Sequence, residues 1–245
     1  MIVDIHAHIG HHPIMDFRQT PEEVLEAMDK WGIDRTFVLP FPSMKVRKVN
    51  DAVAEAVKRH PDRLTGFAVI DPSGEGALEE VRHAADIGLR GVMLDPEFHR
   101  VFGVPRLEEV MVPCMEYNMP VLFNTPNIEV GEGESMGREP YYQGINQLAS
   151  RYPDVKLLVS PFWPRVRELM RKYCNLLIDS GGRNGISGAI SLTQEMGPTR
   201  VFFGSESPQN HPALGIKQIC TMKLFPVYRE LILGKNAERI FKDIF

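Results

Sequence analysis

Short apolar runs rich in β-branched residues alternate along the chain with amphipathic stretches of helical periodicity. Eight such runs occur, and they begin near Ile2, Thr36, Leu64, Leu89, Met119, Val155, Asn175 and Val201. This alternation is typical of βα units arranged around a parallel sheet. The pattern therefore predicts an α/β fold, a distorted (β/α)8 or TIM barrel, formed as a single domain by residues 1–245.

Capping and breaking residues mark the predicted helices. Thr20-Pro21-Glu22-Glu23 supplies an N-cap, a proline at the first helical position and a glutamate at the third, and Gly32 ends this helix. Asn50 is predicted to cap a second helix over Asp51 to His60. Further helices are expected over residues 74–85, 105–118 with a kink at Pro113, 141–152 and 164–173.

Composition excludes several classes of protein. A hydrophobic content of 43% and a charged content of 24% are those of a soluble globular domain. The formal charge of -4, without a basic stretch, argues against a nucleic-acid partner. Neither a membrane span nor a signal peptide is expected, because no apolar segment is long enough and the first strand begins at once. Three cysteines without metal or redox spacing are predicted to be reduced core thiols of a cytoplasmic protein.

The first run, Val3-Asp4-Ile5-His6-Ala7-His8, carries polar residues at every second position. In an extended strand, Asp4, His6 and His8 would project from one face. Two neutral imidazoles and one carboxylate form the His2Glu ligand set of catalytic zinc sites, in which one coordination position stays open. The alternative is a half-buried strand with a polar outer face.

The missing carboxylate is predicted to be Glu206, which ends the eighth run. In a closed barrel the eighth strand lies beside the first, so Glu206 can reach His6 and His8. The sequence thus predicts one divalent metal ion, with zinc as the first candidate. Glu206 is also a candidate catalytic base for metal-bound water, although a simple turn acid is the alternative.

The ends of the other runs also carry polar or aromatic residues, and such ends form the functional face of a barrel. The candidate substrate contacts are Phe41, Asp95, Asn124, Trp163 and Arg183. Arg183 could hold a carboxylate through two hydrogen bonds. Asp179 is interpreted as a strand-exit residue, and residues 127–142 as either a mobile flap or a plain surface loop.

His211, five residues after Glu206, is a second catalytic candidate, since imidazole titrates close to neutral pH. The alternative for His211 is an exposed or helix-capping histidine. The same two interpretations hold for His11, His12 and His99, and for these three the structural one is favoured.

Four segments together resemble the amidohydrolase superfamily: residues 3–8, Arg151-Tyr152-Pro153-Asp154-Val155-Lys156, Phe203-Gly204-Ser205-Glu206-Ser207-Pro208, and residues 233–241. The most similar branch is the amidohydrolase-related (type 2) group, which includes metal-dependent hydrolases and nonoxidative decarboxylases. The resemblance implies a metal-dependent TIM-barrel enzyme that acts on small molecules. It also implies that His6 and His8 are metal ligands and that Asp4 is buried beside them.

The chain departs from this branch at three metal-site positions. Asn124 and Ser160 stand where members usually end the fifth and sixth strands with histidines, and Glu206 replaces an aspartate. The fourth strand offers no lysine near Asp95 to bridge two metals. A degenerate, mononuclear site is therefore expected.

Three functions remain open. The first is a metal-dependent hydrolase of a small carboxylate, lactone or amide. The second is a nonoxidative decarboxylase of the same superfamily, and the third is a small-molecule-binding barrel without catalysis. The expected partner is a small-molecule substrate. A homo-oligomer formed through Ile216, Ile219, Phe225 and Val227 is an alternative to the packing of these residues on the barrel.

Overall fold

Nine strands form one sheet in a computed structural model that describes residues 1–101, 104–124, 139–160, 165–182 and 185–245. The strands are β1 (Val3–His11), β2 (Arg18–Gln19), β3 (Arg35–Pro40), β4 (Leu64–Ile70), β5 (Gly91–Leu94), β6 (Val121–Asn124), β7 (Leu157–Ser160), β8 (Leu176–Asp179) and β9 (Val201–Phe202). Their order is β2-β1-β3-β4-β5-β6-β7-β8-β9. All neighbours pair in parallel except β2, which runs antiparallel to β1 as a short hairpin.

Hydrogen bonds between the first strand and the segment after β9 close the sheet into a barrel. The Ile5 amide donates to the Phe203 carbonyl (3.0 Å), the His8 amide to the Ser207 carbonyl (2.7 Å), and the Glu206 amide to the His6 carbonyl (2.7 Å). We call this junction the seam. Because β9 itself has only two residues, the barrel is distorted at the seam. The predicted (β/α)8 barrel is confirmed.

Helices follow the parallel strands and cover the outside of the barrel. They are α1 (Pro21–Trp31), α2 (Val46–Arg59), α3 (Ala77–Asp86), α4 (Val104–Glu116), α5 (Glu139–Arg151), α6 (Val166–Lys172), α7 (Gly185–Met196), α8 (Pro212–Thr221), α9 (Pro226–Glu230) and α10 (Asn236–Ile240). A π-helical turn, Leu231–Lys235, joins α9 to α10, and a 3-10 turn, Lys242–Ile244, follows. None of the helices in the described ranges combines the length and apolarity needed to cross a bilayer.

Strand residues alternate between two apolar layers. One layer lies between the sheet and the helices. The other fills the barrel interior, and we call it the inner core: Val3, Ile5, Phe37, Leu39, Phe67, Val69, Met93, Leu122, Leu158, Leu177 and Phe202, together with Ala237 and Phe241 from the last helix. The inner core occupies the end of the barrel at which the strands begin. The opposite end, the barrel mouth, receives the next inward-facing residues of the same strands.

The first helix begins as the sequence predicts. The Thr20 side chain accepts from the Glu23 amide (3.2 Å), and the Glu23 carboxylate accepts from the Thr20 amide (2.7 Å). Gly32 ends α1 in the left-handed region, at φ 67.

The predicted start of the second helix is wrong, because α2 begins earlier, after Lys45. Asn50 lies within α2 and is fully buried, and its side chain exchanges hydrogen bonds with the backbone of Val69 and donates to Glu80. These three hydrogen bonds give the buried Asn50 side chain a structural role between elements. The sequence alone does not distinguish this role from a helix cap.

The prediction that Asp4 shares a face with His6 and His8 is also wrong. The pairing register of β1 with β3 shifts between Asp4 and Ala7. As a result, Val3 and Ile5 belong to the inner core, while the Asp4 carboxylate turns to the seam and accepts from the amides of His6 (3.1 Å) and Ser205 (2.8 Å). A bulge adds one residue to a strand and reverses which face the following side chains occupy.

The cysteines are all free, and only Cys114 is buried; Cys174 and Cys220 are exposed. The prediction that all three are core thiols is therefore wrong for two of them.

Candidate functional site

Two buried imidazoles face each other at the barrel mouth. The Nε2 atoms of His6 and His8 lie 3.1 Å apart. His6 Nδ1 is 2.7 Å from an Asp179 carboxylate oxygen, and His8 Nδ1 is 3.3 Å from the Pro40 carbonyl oxygen. Carboxylate and carbonyl oxygens accept hydrogen bonds, so both Nδ1 atoms carry the hydrogen and both Nε2 atoms present lone pairs. Two lone pairs at this separation require a proton or a cation between them.

Asp179, at the end of β8, fixes the orientation of His6. Its second oxygen accepts from the Ser160 hydroxyl (2.8 Å), which also lies 3.1 Å from His6 Nδ1. All three side chains are fully buried. Asp179 also accepts from the Gly181 amide (3.0 Å), as expected of a strand-exit residue, and its bond to His6 adds a role that this interpretation did not include. The alternation along β8 was the available signal, because Asp179 follows the inner-core residue Leu177 on the same face.

Phe41 holds the other imidazole. Its ring stacks on His8 with centroids 4.8 Å apart and an interplanar angle of 11°. Phe41 is itself buried, at 2% exposure, so its contact with His8 supports the imidazole. Its predicted role as a substrate contact stays a prediction.

Glu206 lies on the seam beside the imidazole pair. Its backbone is left-handed, at φ 58, a conformation that costs free energy for a residue with a β-carbon. The carboxyl group is buried and accepts a 3.3 Å hydrogen bond from the Asn210 side chain. Burial raises the pKa of Glu206 to about 7; His6 opposes this shift, the charge of Asp179 adds to it, and a hydrogen bond from the Gly182 amide opposes it.

The buried carboxyl groups of this region have no arginine or lysine partner among the described residues. Asp4, Asp95, Asp179 and Glu206 form no ion pair or hydrogen bond with an arginine or lysine among the described contacts. Burial raises the pKa of Asp4 to about 6 and also raises the pKa of Asp95. Two converging nitrogen lone pairs beside buried acidic side chains are features that a cation would satisfy.

The three predicted metal ligands are only partly assembled. His6 and His8 direct their free nitrogens at one point, but no group of three His, Cys, Asp or Glu side chains in the described residues is arranged to hold a metal ion. Glu206 is close enough to influence His6 electrostatically, yet its hydrogen bond is to Asn210. The residues therefore fit a cation with two firm donors.

Asp95 and Asn124 bind each other on the other side of the mouth. The Asn124 amide donates to one Asp95 oxygen (2.8 Å), and the Phe98 amide donates to the other (2.9 Å). Asp95 is thus both a loop cap and a mouth residue, and Asn124 is half-buried. Their contact with substrate stays a prediction.

His211 lies at the N-cap of α8, where its Nδ1 accepts from the Ala213 amide (3.2 Å). Its exposed ring packs edge-on against Trp31, with centroids 5.6 Å apart. This capping role agrees with the alternative stated for His211, and its catalytic role stays a prediction. Trp163, Arg183 and most of the loop at 127–142 lie outside the described residues.

The sequence model of the amidohydrolase family matches residues 3–242. The chain belongs to this family. The resemblance found in the four segments is thereby confirmed. No protein of curated function matches the chain.

Solved structures of similar fold include an uncharacterised protein and two decarboxylases. An uncharacterised TIM-barrel protein from Bordetella bronchiseptica is 20% identical with a TM-score of 0.76, and the match covers 99% of each chain. The 5-carboxyvanillate decarboxylase of Sphingomonas paucimobilis is 15% identical with a TM-score of 0.74, over 98% of each chain. A dihydroxybenzoic acid decarboxylase from Polaromonas sp. JS666, with bound manganese and the inhibitor 2-nitroresorcinol, is 15% identical with a TM-score of 0.73, over 98% of this chain and 96% of that chain. At these identities the similarity establishes the fold alone.

Proposed function

We propose that this amidohydrolase-family chain is a metal-dependent lyase that releases the carboxylate of a small aromatic acid as carbon dioxide. The observation that carries the proposal is the pair of Nε2 atoms 3.1 Å apart, each with its lone pair directed at the other. Two structural neighbours are decarboxylases, which supports this reaction over hydrolysis of a lactone or amide.

His6 and His8 would hold the divalent ion through Nε2. Imidazole nitrogens bind both manganese and zinc, and the manganese of one neighbour makes manganese the first metal to test. When bound, the ion would polarise a carboxylate or hydroxyl oxygen of the substrate. Asn124 and Ser160 replace histidines of the family pattern, so we expect weaker metal binding than in a site with four protein ligands.

Glu206 would supply the proton. Nonoxidative decarboxylation replaces a carboxylate with hydrogen at one ring carbon. The Glu206 carboxyl group would transfer its proton to that carbon, the electron pair of the broken carbon–carbon bond would return to the ring as carbon dioxide leaves, and water would reprotonate the carboxylate. Burial raises the pKa of Glu206 to about 7 in the metal-free protein, which favours the protonated carboxyl group that a general acid requires.

Asp179, Ser160 and Pro40 would position the imidazoles. Their hydrogen bonds to the two Nδ1 atoms keep both Nε2 atoms available as donors to the ion. Groups that fix the far nitrogen of a ligating histidine typically raise its basicity and hold the ring in place.

The test is product analysis on full-length protein purified without chelator. The protein is loaded with manganese or zinc and incubated with 5-carboxyvanillate, a dihydroxybenzoate and a panel of lactones and amides. We expect carbon dioxide release and, in deuterated water, one deuterium at the vacated ring position. Hydrolysis of a lactone or amide without carbon dioxide release would replace the lyase proposal with the hydrolase.

A binding barrel without catalysis is a second candidate, because the described residues contain no three-ligand group. It predicts that an aromatic acid raises the melting temperature equally in wild type and in the His6→Ala, His8→Ala double variant. The lyase proposal predicts that the double variant loses most of this stabilisation.

A further inference from the structure

His12 is held at the barrel mouth by the loop that follows β1. Its Nδ1 accepts hydrogen bonds from the amides of Ile14 (3.2 Å) and Met15 (2.9 Å). A ring nitrogen that accepts from two amides cannot carry a hydrogen itself. The neutral imidazole is therefore fixed as the tautomer with its hydrogen on Nε2.

The contacts of the ring place His12 beside the imidazole pair. It packs edge-on against Phe41, with centroids 5.2 Å apart and an angle of 76°, and Phe41 stacks on His8. Asp95, which follows β5, is close enough to act electrostatically on His12. His12 thus lies between the ends of β1 and β5, over the side of the mouth that β3 forms.

The pKa of His12 is lowered, because partial burial disfavours the charged imidazolium; Asp95 opposes this shift and His11 adds to it. The ring is accordingly neutral at physiological pH, consistent with the fixed tautomer. Its Nε2 has no hydrogen-bond acceptor among the described residues. Since Nδ1 faces the loop at Ile14 and Met15, the Nε2 hydrogen points away from that loop.

We propose that His12 recognises the substrate by donating its Nε2 hydrogen to an anionic oxygen of a small planar acid bound over His6 and His8. The inference rests on the proposed substrate class. An anion at this mouth meets the carboxyl groups of Asp95 and Glu206, which repel it when ionised. A neutral donor fixed by two backbone amides binds such an oxygen without needing to be protonated or reoriented.

Two substitutions separate donation from loop anchoring. His12→Asn places an amide oxygen at the position of Nδ1, so it keeps the acceptor for the loop amides. It removes the hydrogen-bond donor at the Nε2 position, which the shorter side chain does not reach. His12→Gln reaches the Nε2 position with an amide nitrogen, so it keeps a donor and removes the acceptor at Nδ1. His11→Asn is the matched control, because His11 is the exposed neighbouring histidine.

The measurement is calorimetric titration of manganese-loaded protein with a dihydroxybenzoate, with resorcinol as the probe that lacks the carboxylate. We expect His12→Asn to weaken dihydroxybenzoate binding about 10- to 100-fold, as for a lost hydrogen bond to a charged group, with an unchanged melting temperature. We expect His12→Gln to retain binding within a few-fold of wild type, and His11→Asn to equal wild type.

The opposite order, with binding kept in His12→Asn and lost in His12→Gln, would overturn the inference and leave His12 as a loop anchor. Equal binding by all variants, or no binding of the dihydroxybenzoate by wild type, would overturn it as well. Carbon dioxide release is recorded separately on the same samples. Wild type that binds through His12 and releases no carbon dioxide would refute the lyase proposal and preserve the recognition role.

Discussion

The two ends of the barrel interior bury different kinds of side chain, apolar at one end and ionisable at the other. At the end where strands begin, Phe241 packs against Phe37 and Phe202, with both centroid distances 5.4 Å, and the inner core around them is apolar. At the mouth, the same strands bury carboxyl groups and imidazoles. Burial of the apolar inner core stabilises the fold, whereas desolvation of the charged groups at the mouth destabilises it.

The difference indicates where selection for stability and for function acts. Barrel enzymes place chemistry at the carboxyl ends of strands and stability at the other end. If this division holds here, substitutions in the inner core should leave metal affinity unchanged, and removal of metal ligands at the mouth should leave the packing of the inner core unchanged.

The largest effect is expected when both imidazoles are removed. His6→Ala with His8→Ala should lower manganese affinity by at least about 1000-fold, because both firm donors are lost. Titration with manganese, followed by elemental analysis, measures this. The His60→Ala, His83→Ala double variant removes the same number of histidines from outer helices, and it should bind manganese like wild type. Wild-type affinity in the His6, His8 double variant would place the metal elsewhere.

At the opposite end, Phe241→Ala should lower the free energy of unfolding by about 3–5 kcal/mol, the cost of a large cavity in a packed core. Denaturant unfolding measures the change. Phe225→Ala is the control, since Phe225 is 68% exposed, and it should change stability little. Manganese affinity should match wild type in both variants; a large loss of affinity in Phe241→Ala would show that the two ends are coupled.

The mouth should also make stability depend on pH. Burial raises the pKa of Glu206 from 4.5 to about 7, so the native state binds a proton that the unfolded state releases. Metal-stripped protein should therefore lose stability as pH rises from about 4.5 through 7, by roughly 3 kcal/mol from this group. Glu206→Gln is neutral at every pH and should lack this contribution. Identical pH profiles of wild type and Glu206→Gln would contradict the shift.

A smaller effect is expected at the group that orients His6. Asp179→Asn should weaken manganese binding about 10- to 100-fold, since a neutral partner lowers the basicity of the imidazole. Asp71→Asn, which changes a carboxylate at another strand end where it bonds Ser73, should bind manganese like wild type. Equal affinity in Asp179→Asn and wild type would limit Asp179 to a packing role.

The sequence was sufficient for the architecture because the barrel repeats one simple pattern. Apolar runs recur with each βα unit, and the capping box at Thr20 depends only on residues within one turn. The hairpin strand β2 was missed because two residues carry no periodicity. The early start of α2 was missed because Asn50 has its partners in other elements.

The site was harder to predict because its geometry depends on contacts between distant residues. The pairing of His6 and His8 followed from strand alternation, but the bulge that removes Asp4 from their face depends on pairing with β3. Asp179 bonds His6 across 173 residues of sequence. The alternation along β8 predicts that the Asp179 side chain faces inward, but nothing local to β8 predicts that His6 is its partner. The orientation of Glu206 depends on a left-handed backbone that its residue type does not favour.

The seam also determines when the site can exist during folding. The Ser205 amide and the Asp4 carboxylate that join across it are 201 residues apart in the chain. During synthesis, His6 and His8 emerge long before Asp179 and Glu206. The imidazoles therefore lack their buried partners until the last strand packs against the first. The site is therefore complete only when folding is complete, and binding of the proposed metal ion would report the final step of barrel closure.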